Sequence, residues 1–264
     1  MEEVIRFYDL VDEELRFQRN SRRIEFLTSI NALEEVIQNS SRILELGAGT
    51  GAYSFYYANN GHTVTALDLT PSNIDKINEK KSEYKNISLK AIVGEATDLS
   101  RFESGAFNTV LCFGPYYHII DDVARLKLIE ESLRVLSSGG ILAIAYINKH
   151  SVVPMLIKKM PEFINEGTIS KVIDIGNLKA RDPESFWTDS HYTTPIEVEK
   201  FMKQFDVSIV DHLGTDGLSH TLSNEVDELS EQKFEIYKNY HFKTCRERSI
   251  LGISTHGLII CRKN

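Results

Sequence analysis

Three glycines fall within five positions, at Gly47, Gly49 and Gly51, behind the apolar run SRILEL (41–46) and ahead of AYSFYYANNG (52–61). Glycine tolerates positive φ and lets a ligand approach the main chain closely. The first turn of a helix offers unpaired N–H groups and the positive end of its dipole. A strand, a glycine turn and a helix start together make a site for an anion or a nucleotide; the alternative is a plain tight turn packing helix on strand. Seventeen residues after Gly51, Asp68 lies at the end of the strand segment HTVTALDL (62–69), one residue before its last, where a carboxylate can accept from ribose hydroxyls.

The glycine pattern alone does not choose the nucleotide. GAGTGA satisfies G-x-G-x-x-G/A, the dinucleotide fingerprint, and both NAD and S-adenosylmethionine (SAM) present a ribose to Asp68. Three features favour SAM. Glu45 lies in the strand end two residues before Gly47, where an acid suits an ammonium group that SAM has and NAD lacks. A short-chain hydride-transfer enzyme needs a Tyr-x-x-x-Lys pair, and none of the eleven tyrosines has Lys four residues on. About 40 residues of helical pattern precede the first strand, late for an NAD domain but natural for a lid over a SAM pocket.

On the substrate side, GPYYHI (114–119) follows the fourth strand. His118 is the best-placed residue to orient or deprotonate a substrate, or is a structural histidine bonded to the segment after residue 148. His150, Trp187, His191 and Tyr192 add aromatic character there, either as a lid on a ligand or as that segment's own small core. GPYY resembles the Asn/Asp-Pro-Pro-Tyr motif of amino-group nucleic-acid methyltransferases, but Gly114 offers no side-chain acceptor. A formal net charge of −8 also disfavours a nucleic-acid substrate. The eight histidines show no H-x-x-x-H spacing, so no metal is expected. The odd set Cys112, Cys245 and Cys261 lacks a C-x-x-C and reads as reduced thiols, with Cys112 a core residue. The acidic opening MEEVIRFYDL has no signal-peptide character, and no apolar run approaches membrane-spanning length. A cytoplasmic protein is expected.

The elements that must position these residues alternate. Helices are expected over 1–19 and 22–38, then a strand at 41–46, a helix at 52–60 and a strand at 62–69. A helix opening at Pro71 runs to about Tyr84. Strands follow at 86–94 and 107–114, a helix at 121–136 and a strand at 141–148. This is a doubly wound α/β pattern, with a mostly parallel sheet and helices on both faces, and such sheets bind ligands outside the carboxyl ends of their strands. Regularity stops at 151–194, apart from a short helix around MLIKKM. A helix then starts at Pro195, a strand covers 206–214, a charged helix 223–247 and a closing strand 249–263. The basic stretch KTCRERS (243–249) reads as a solvated helix face.

Taken in order, ILELGAGTG (43–51), ALDLT (66–70), VGEATDLS (93–100), FNTVLCFGPYYHI (107–119) and LIEESLRVLSSGGILAIAYIN (128–148) resemble the motifs of class I SAM-dependent methyltransferases of the small-molecule, type 11/25-like branch. VSIVDHLG and THGLIICRKN are similar to that family's closing antiparallel hairpin. The resemblance implies a Rossmann-like, doubly wound, mostly parallel seven-stranded sheet, with an N-terminal helical lid (1–40), a SAM-binding core (41–148), a substrate-side insertion after strand five (149–194) and a C-terminal part of the core (195–264). It implies that Gly47, Ala48, Gly49 and Gly51 pass under the methionine part, with Glu45 near its amino group. Asp68 would hold the ribose and Leu69 pack on adenine, with Glu95 and Ala96 at the adenine amino edge. The family often has Asp at the position of Glu95. The Phe113 carbonyl would face the ammonium, and Tyr8 would act as a lid tyrosine or else as a packing aromatic. The implied activity is methyl transfer from SAM to O, N or another nucleophile of a small molecule by in-line displacement. A non-catalytic SAM-binding partner or sensor, and an NAD(P)-dependent oxidoreductase, are the alternatives.

Overall fold

The computed structural model describes residues 2–10 and 17–264. The chain opens with α1 (Glu2–Leu10) and α2 (Asn20–Glu34); residues 11–16 of the expected first helix lie outside the described residues. Then come β1 (Arg42–Leu46), α3 (Ala52–Asn59), β2 (Thr63–Asp68), α4 (Pro71–Lys81), β3 (Ser88–Val93), β4 (Phe107–Cys112), the one-turn α5 (Pro115–His118), α6 (Asp122–Val135) and β5 (Leu136–Asn148). The 149–194 segment holds α7 (Lys149–Lys159), α8 (Glu166–Ser170), and the short strands β6 (Asn177–Leu178) and β7 (Ser190–Thr193). The rest of the chain carries α9 (Pro195–Met202), β8 (Val207–Gly214), α10 (Ser223–Asp227), α11 (Glu231–Thr244), α12 (Arg248–Ile253) and β9 (His256–Lys263).

Seven strands form the main sheet. β3, β2, β1, β4 and β5 run parallel in that order, and β9 pairs antiparallel with β5 and with β8. The order reverses at β1, whose neighbours are β2 and β4, so the carboxyl end of β1 is a topological switch point. The central strands are apolar without alternation because both faces are covered by helices: four of the five β1 residues and the last four of β4 are buried. β7 adds two parallel pairs, Ile147↔Tyr192 and Asn148↔Thr193, at the end of β5, and β6 pairs with β7. The segment after residue 148 is thus hydrogen-bonded to the sheet.

Asn148, fully buried, locks the turn out of β5. Its side chain accepts from His150 N at 3.1 Å and donates to Gly252 O at 2.9 Å. This caps α7 and ties it to the C-terminal part of the chain.

Three expectations are corrected. The strand over 249–263 begins only at His256, because 248–253 form α12 with Leu251 buried against the core. The long helix over 223–247 is two helices, broken where Ser230 caps α11 through its hydroxyl. KTCRERS is not a free face: Arg246 binds Asp211 at 2.7–3.0 Å and Glu35 at 3.2 Å, and Arg248 reaches Glu199 at 2.5 Å. Among the described residues no helix is long and apolar enough to cross a membrane.

Candidate active site

The turn after β1 is built from conformations that favour glycine. Gly47, Gly49 and Gly51 all have positive φ, at 75°, 53° and 87°. A Cβ on Gly47 would come within 2.6 Å of the Pro115 ring and 2.9 Å of the Phe113 carbonyl, so the turn after β4 lies directly against this loop. Gly51 caps α3 in the left-handed region. The loop is tied to β2 by Gly47 N and Ala48 N, which both donate to Leu67 O at 2.8 and 3.1 Å.

Asp68, at the end of β2, reaches the same loop. Its carboxylate accepts from Gly49 N (2.8 Å), Thr70 N (2.8 Å) and the Asn73 amide (3.2 Å). Burial pushes its carboxyl above the ordinary value, while these donors pull the other way. Glu45 is 2% exposed and accepts from the Ser54 hydroxyl. Burial raises its carboxyl to about 8, opposed by Ser54 and reinforced by nearby Asp68.

Two adjoining cavities share Gly47, Gly49, Phe113 and Tyr117. The first, of about 100 Å³, is walled by Asp68, Leu69, Glu95, Ala96, Tyr8 and His118. The second, of about 60 Å³, is walled by Glu45, Ala48, Thr50, Tyr53, Phe17 and Glu25. Of the residues expected at the cofactor, with His118, all border one or the other except Gly51, which shapes the loop. Phe113 is fixed by its own N–H, which donates to Leu46 O at 3.1 Å. Glu95 turns its carboxylate to the Thr97 hydroxyl.

His118 faces the first cavity together with Tyr8. Its Nδ1 lies 2.9 Å from the Asp189 carbonyl, which can only accept, so Nδ1 carries the proton. In the neutral ring Nε2 is then an acceptor, and the Tyr8 hydroxyl donates to it at 2.9 Å. Both ring nitrogens are engaged, so this conformation presents a positioned histidine rather than a waiting base.

A third cavity, of about 510 Å³, opens beyond Tyr8, which also borders the first, and Tyr117, which borders all three. Its apolar walls include Ile147, Met155, Phe186 and Trp187; its polar ones include Arg22, Lys159, His220 and His256. Trp187 combines the two roles weighed for it, packing with the buried cluster of the 149–194 segment while bordering the cavity. His150 and His191 do not border this cavity, and burial lowers His191 to about 3.

Sequence reasoning missed Asn73, Thr70, Tyr53 and Glu25, and also His220 and His256. Thr70 and Asn73 follow Asp68 within one turn and could have been read as its donors. The others sit on distant elements with no local pattern.

A five-stranded parallel run closed by an antiparallel pair, with a glycine loop and an acid at the first two strand ends, is the class I methyltransferase fold. Residues 43–140 match the family model described as a methyltransferase domain. The chain is 28% identical over 157 residues to the demethylmenaquinone methyltransferase of Paenarthrobacter aurescens, covering 60% of this chain and 56% of that one. It is 28% identical over 130 residues to the ubiquinone biosynthesis O-methyltransferase of Xanthomonas campestris pv. campestris, covering 49% and 51%. The matches span about half the length of these curated relatives. Among solved structures, a SAM-dependent methyltransferase from Methanosarcina mazei superposes with a TM-score of 0.59 at 19% identity, over 88% of this chain and 96% of that one. A SAM-dependent methyltransferase from Thermotoga maritima, described as a possible histamine N-methyltransferase, gives 0.60 at 15% identity over 100% and 99%. At such identities the likeness concerns the fold.

Proposed function

We propose that this chain is a SAM-dependent methyltransferase acting on a small molecule. The observation that carries the reading is Glu45: a carboxyl raised to about 8 by burial, beside the glycine loop, in a cavity adjoining one bordered by Asp68. A buried acid of this kind fits an ammonium group, which would let it ionise. NAD brings no such cation.

SAM, when bound, supplies a methyl group on a positively charged sulfur, which leaves as a neutral thioether. The chain's part is alignment and exclusion of water. Asp68, held by Gly49, Thr70 and Asn73, would receive the ribose; Leu69, Glu95 and Ala96 would flank adenine; Gly47, Ala48 and Gly49 would pass under the methionine part, with Glu45 and the Phe113 carbonyl at its ammonium. Tyr8, fixed by His118, would close the junction towards the third cavity, which has the room for an acceptor. His118 thus orients the lid rather than removing a proton. The curated relatives above are, by their names, a demethylmenaquinone methyltransferase and an O-methyltransferase of ubiquinone biosynthesis, and the apolar walls of the third cavity suit an acceptor with a ring.

The test is to incubate the chain with SAM and a panel of hydroxyl, amine and thiol acceptors and to measure S-adenosylhomocysteine. Acceptor-dependent product is expected. Tight SAM binding with no product above the acceptor-free background would instead mark a SAM-binding partner or sensor.

A further inference from the structure

One cluster on the third cavity has no part in the account so far. His256, the first residue of β9, is paired in register with Ile147 of β5 and so stands at the carboxyl edge of the sheet. Its Nδ1 lies 2.8 Å from Asp216 Oδ2, and its main-chain N donates to Asp216 Oδ1 at 3.0 Å. Ser254 Oγ donates to the same Oδ1 at 2.7 Å. Asp216 is 1% exposed, and its carboxyl is held below the ordinary value by His256, against the cost of burial. A carboxylate there fixes the proton on Nδ1, which leaves Nε2 as the basic nitrogen of a ring that borders the cavity. Glu25, whose carboxylate is 3.7 Å from His256 Nδ1, borders the second cavity. His256 therefore stands between the methionine side of the cofactor site and the large cavity.

The same cavity is positively lined. Arg19, Arg22 and Lys159 all border it. Burial depresses the Lys159 ammonium first, and repulsion from Arg22 adds to it, against attraction from Asp227. His220, stacked 6.0 Å from His256, is pushed down to about 2 by burial and by Arg22. Among the described residues, His220 Nδ1 and Thr255 Oγ1 are buried polar atoms with no hydrogen-bond partner, and both residues border this cavity. A buried polar atom costs stability unless something satisfies it. Crowded cations, orphaned polar atoms and apolar walls together describe a ligand with a ring and an anionic group.

We propose that the acceptor is an amphiphilic ring compound bearing an ionisable hydroxyl and an anionic group, that Arg22 and Lys159 hold the anion, and that His256, positioned by Asp216, is the catalytic base. This rests on the methyltransferase reading above and deepens it. The hydroxyl O–H bond breaks, its proton passes to His256 Nε2, and an oxygen electron pair forms the new O–CH3 bond. The S–CH3 bond breaks, and sulfur keeps its electron pair.

The test uses the full chain saturated with S-adenosylhomocysteine, whose own binding is measured first. Calorimetry then compares 4-hydroxybenzoate, phenol and benzoate, and labelled methyl transfer from SAM to 4-hydroxybenzoate is measured for kcat and KM. 4-Hydroxybenzoate is expected to bind at least about tenfold tighter than phenol, with the gap closing in Arg22→Gln and Lys159→Gln. His256→Gln is expected to lose about a hundredfold or more in transfer while still binding S-adenosylhomocysteine as the wild type does. Asp216→Asn is expected to lower kcat for transfer while leaving KM for 4-hydroxybenzoate near that of the wild type, a split that a general loss of structure would not give. His256→Asn provides a second variant if the first does not fold. Equal binding of phenol and 4-hydroxybenzoate, or a wild-type rate in a folded His256 variant, overturns the proposal and leaves the methyltransferase reading standing. Failure to bind S-adenosylhomocysteine overturns both.

Discussion

Tyr8 and His118 stand 110 positions apart in sequence and meet through one hydrogen bond of 2.9 Å at the edge of the first cavity. The bond joins the N-terminal helix to the turn after β4, and His118 is held on its other side by the Asp189 carbonyl. Three separate stretches of chain therefore converge on one imidazole. Tyr8→Phe removes the bond without removing the ring. The expected result is a loss of about 3- to 10-fold in affinity for SAM, the worth of one part-buried hydrogen bond. Calorimetry on Tyr8→Phe, His118→Gln and the double variant checks it; the double variant should lose little more than either single one.

Glu45 makes SAM binding pH-dependent. Its folded carboxyl sits near 8 against an ordinary 4.5. The neutral form is favoured in the ligand-free fold, so the stability Glu45 contributes is complete below about 4.5 and is lost as pH rises from there through about 8. An ammonium beside it reverses that preference. At pH about 7, binding should therefore release up to one proton, and affinity should rise towards pH 8. Calorimetry in two buffers of different ionisation enthalpy reads this directly. Glu45→Gln should abolish the release.

The glycines of the loop are not equivalent. Gly47→Ala meets the Pro115 ring and the Phe113 carbonyl and is also strained at φ 75°, so a loss of roughly 2–5 kcal/mol in stability is expected. Gly49→Ala has nothing within 4 Å of its Cβ and carries only the strain of φ 53°, worth about 1–2 kcal/mol. Denaturant melts of the two variants should separate them clearly.

Much of this was readable before any coordinates. The glycine loop, Asp68 and Glu45 are close in sequence or follow apolar runs whose ends mark the sheet edge, and the parallel order follows from strict alternation. What could not be read depends on chain crossings. Asp216 and His256 are forty positions apart, and neither sits in a periodic pattern. The closing segment SILGIST is apolar enough for a strand, yet it folds as a helix because Leu251 is buried against the core and Arg248 finds Glu199. The Tyr8 bond is invisible in sequence because it depends on how an amphipathic helix docks.

The central claim is that the glycine loop, Glu45 and Asp68 hold SAM. The most direct measurement is calorimetric titration of the wild type and Asp68→Asn with SAM, S-adenosylhomocysteine and NAD. The account predicts micromolar binding of SAM and S-adenosylhomocysteine, no binding of NAD, and a loss of about tenfold or more in Asp68→Asn. Binding of NAD in place of SAM, or SAM affinity unchanged in Asp68→Asn, would contradict it.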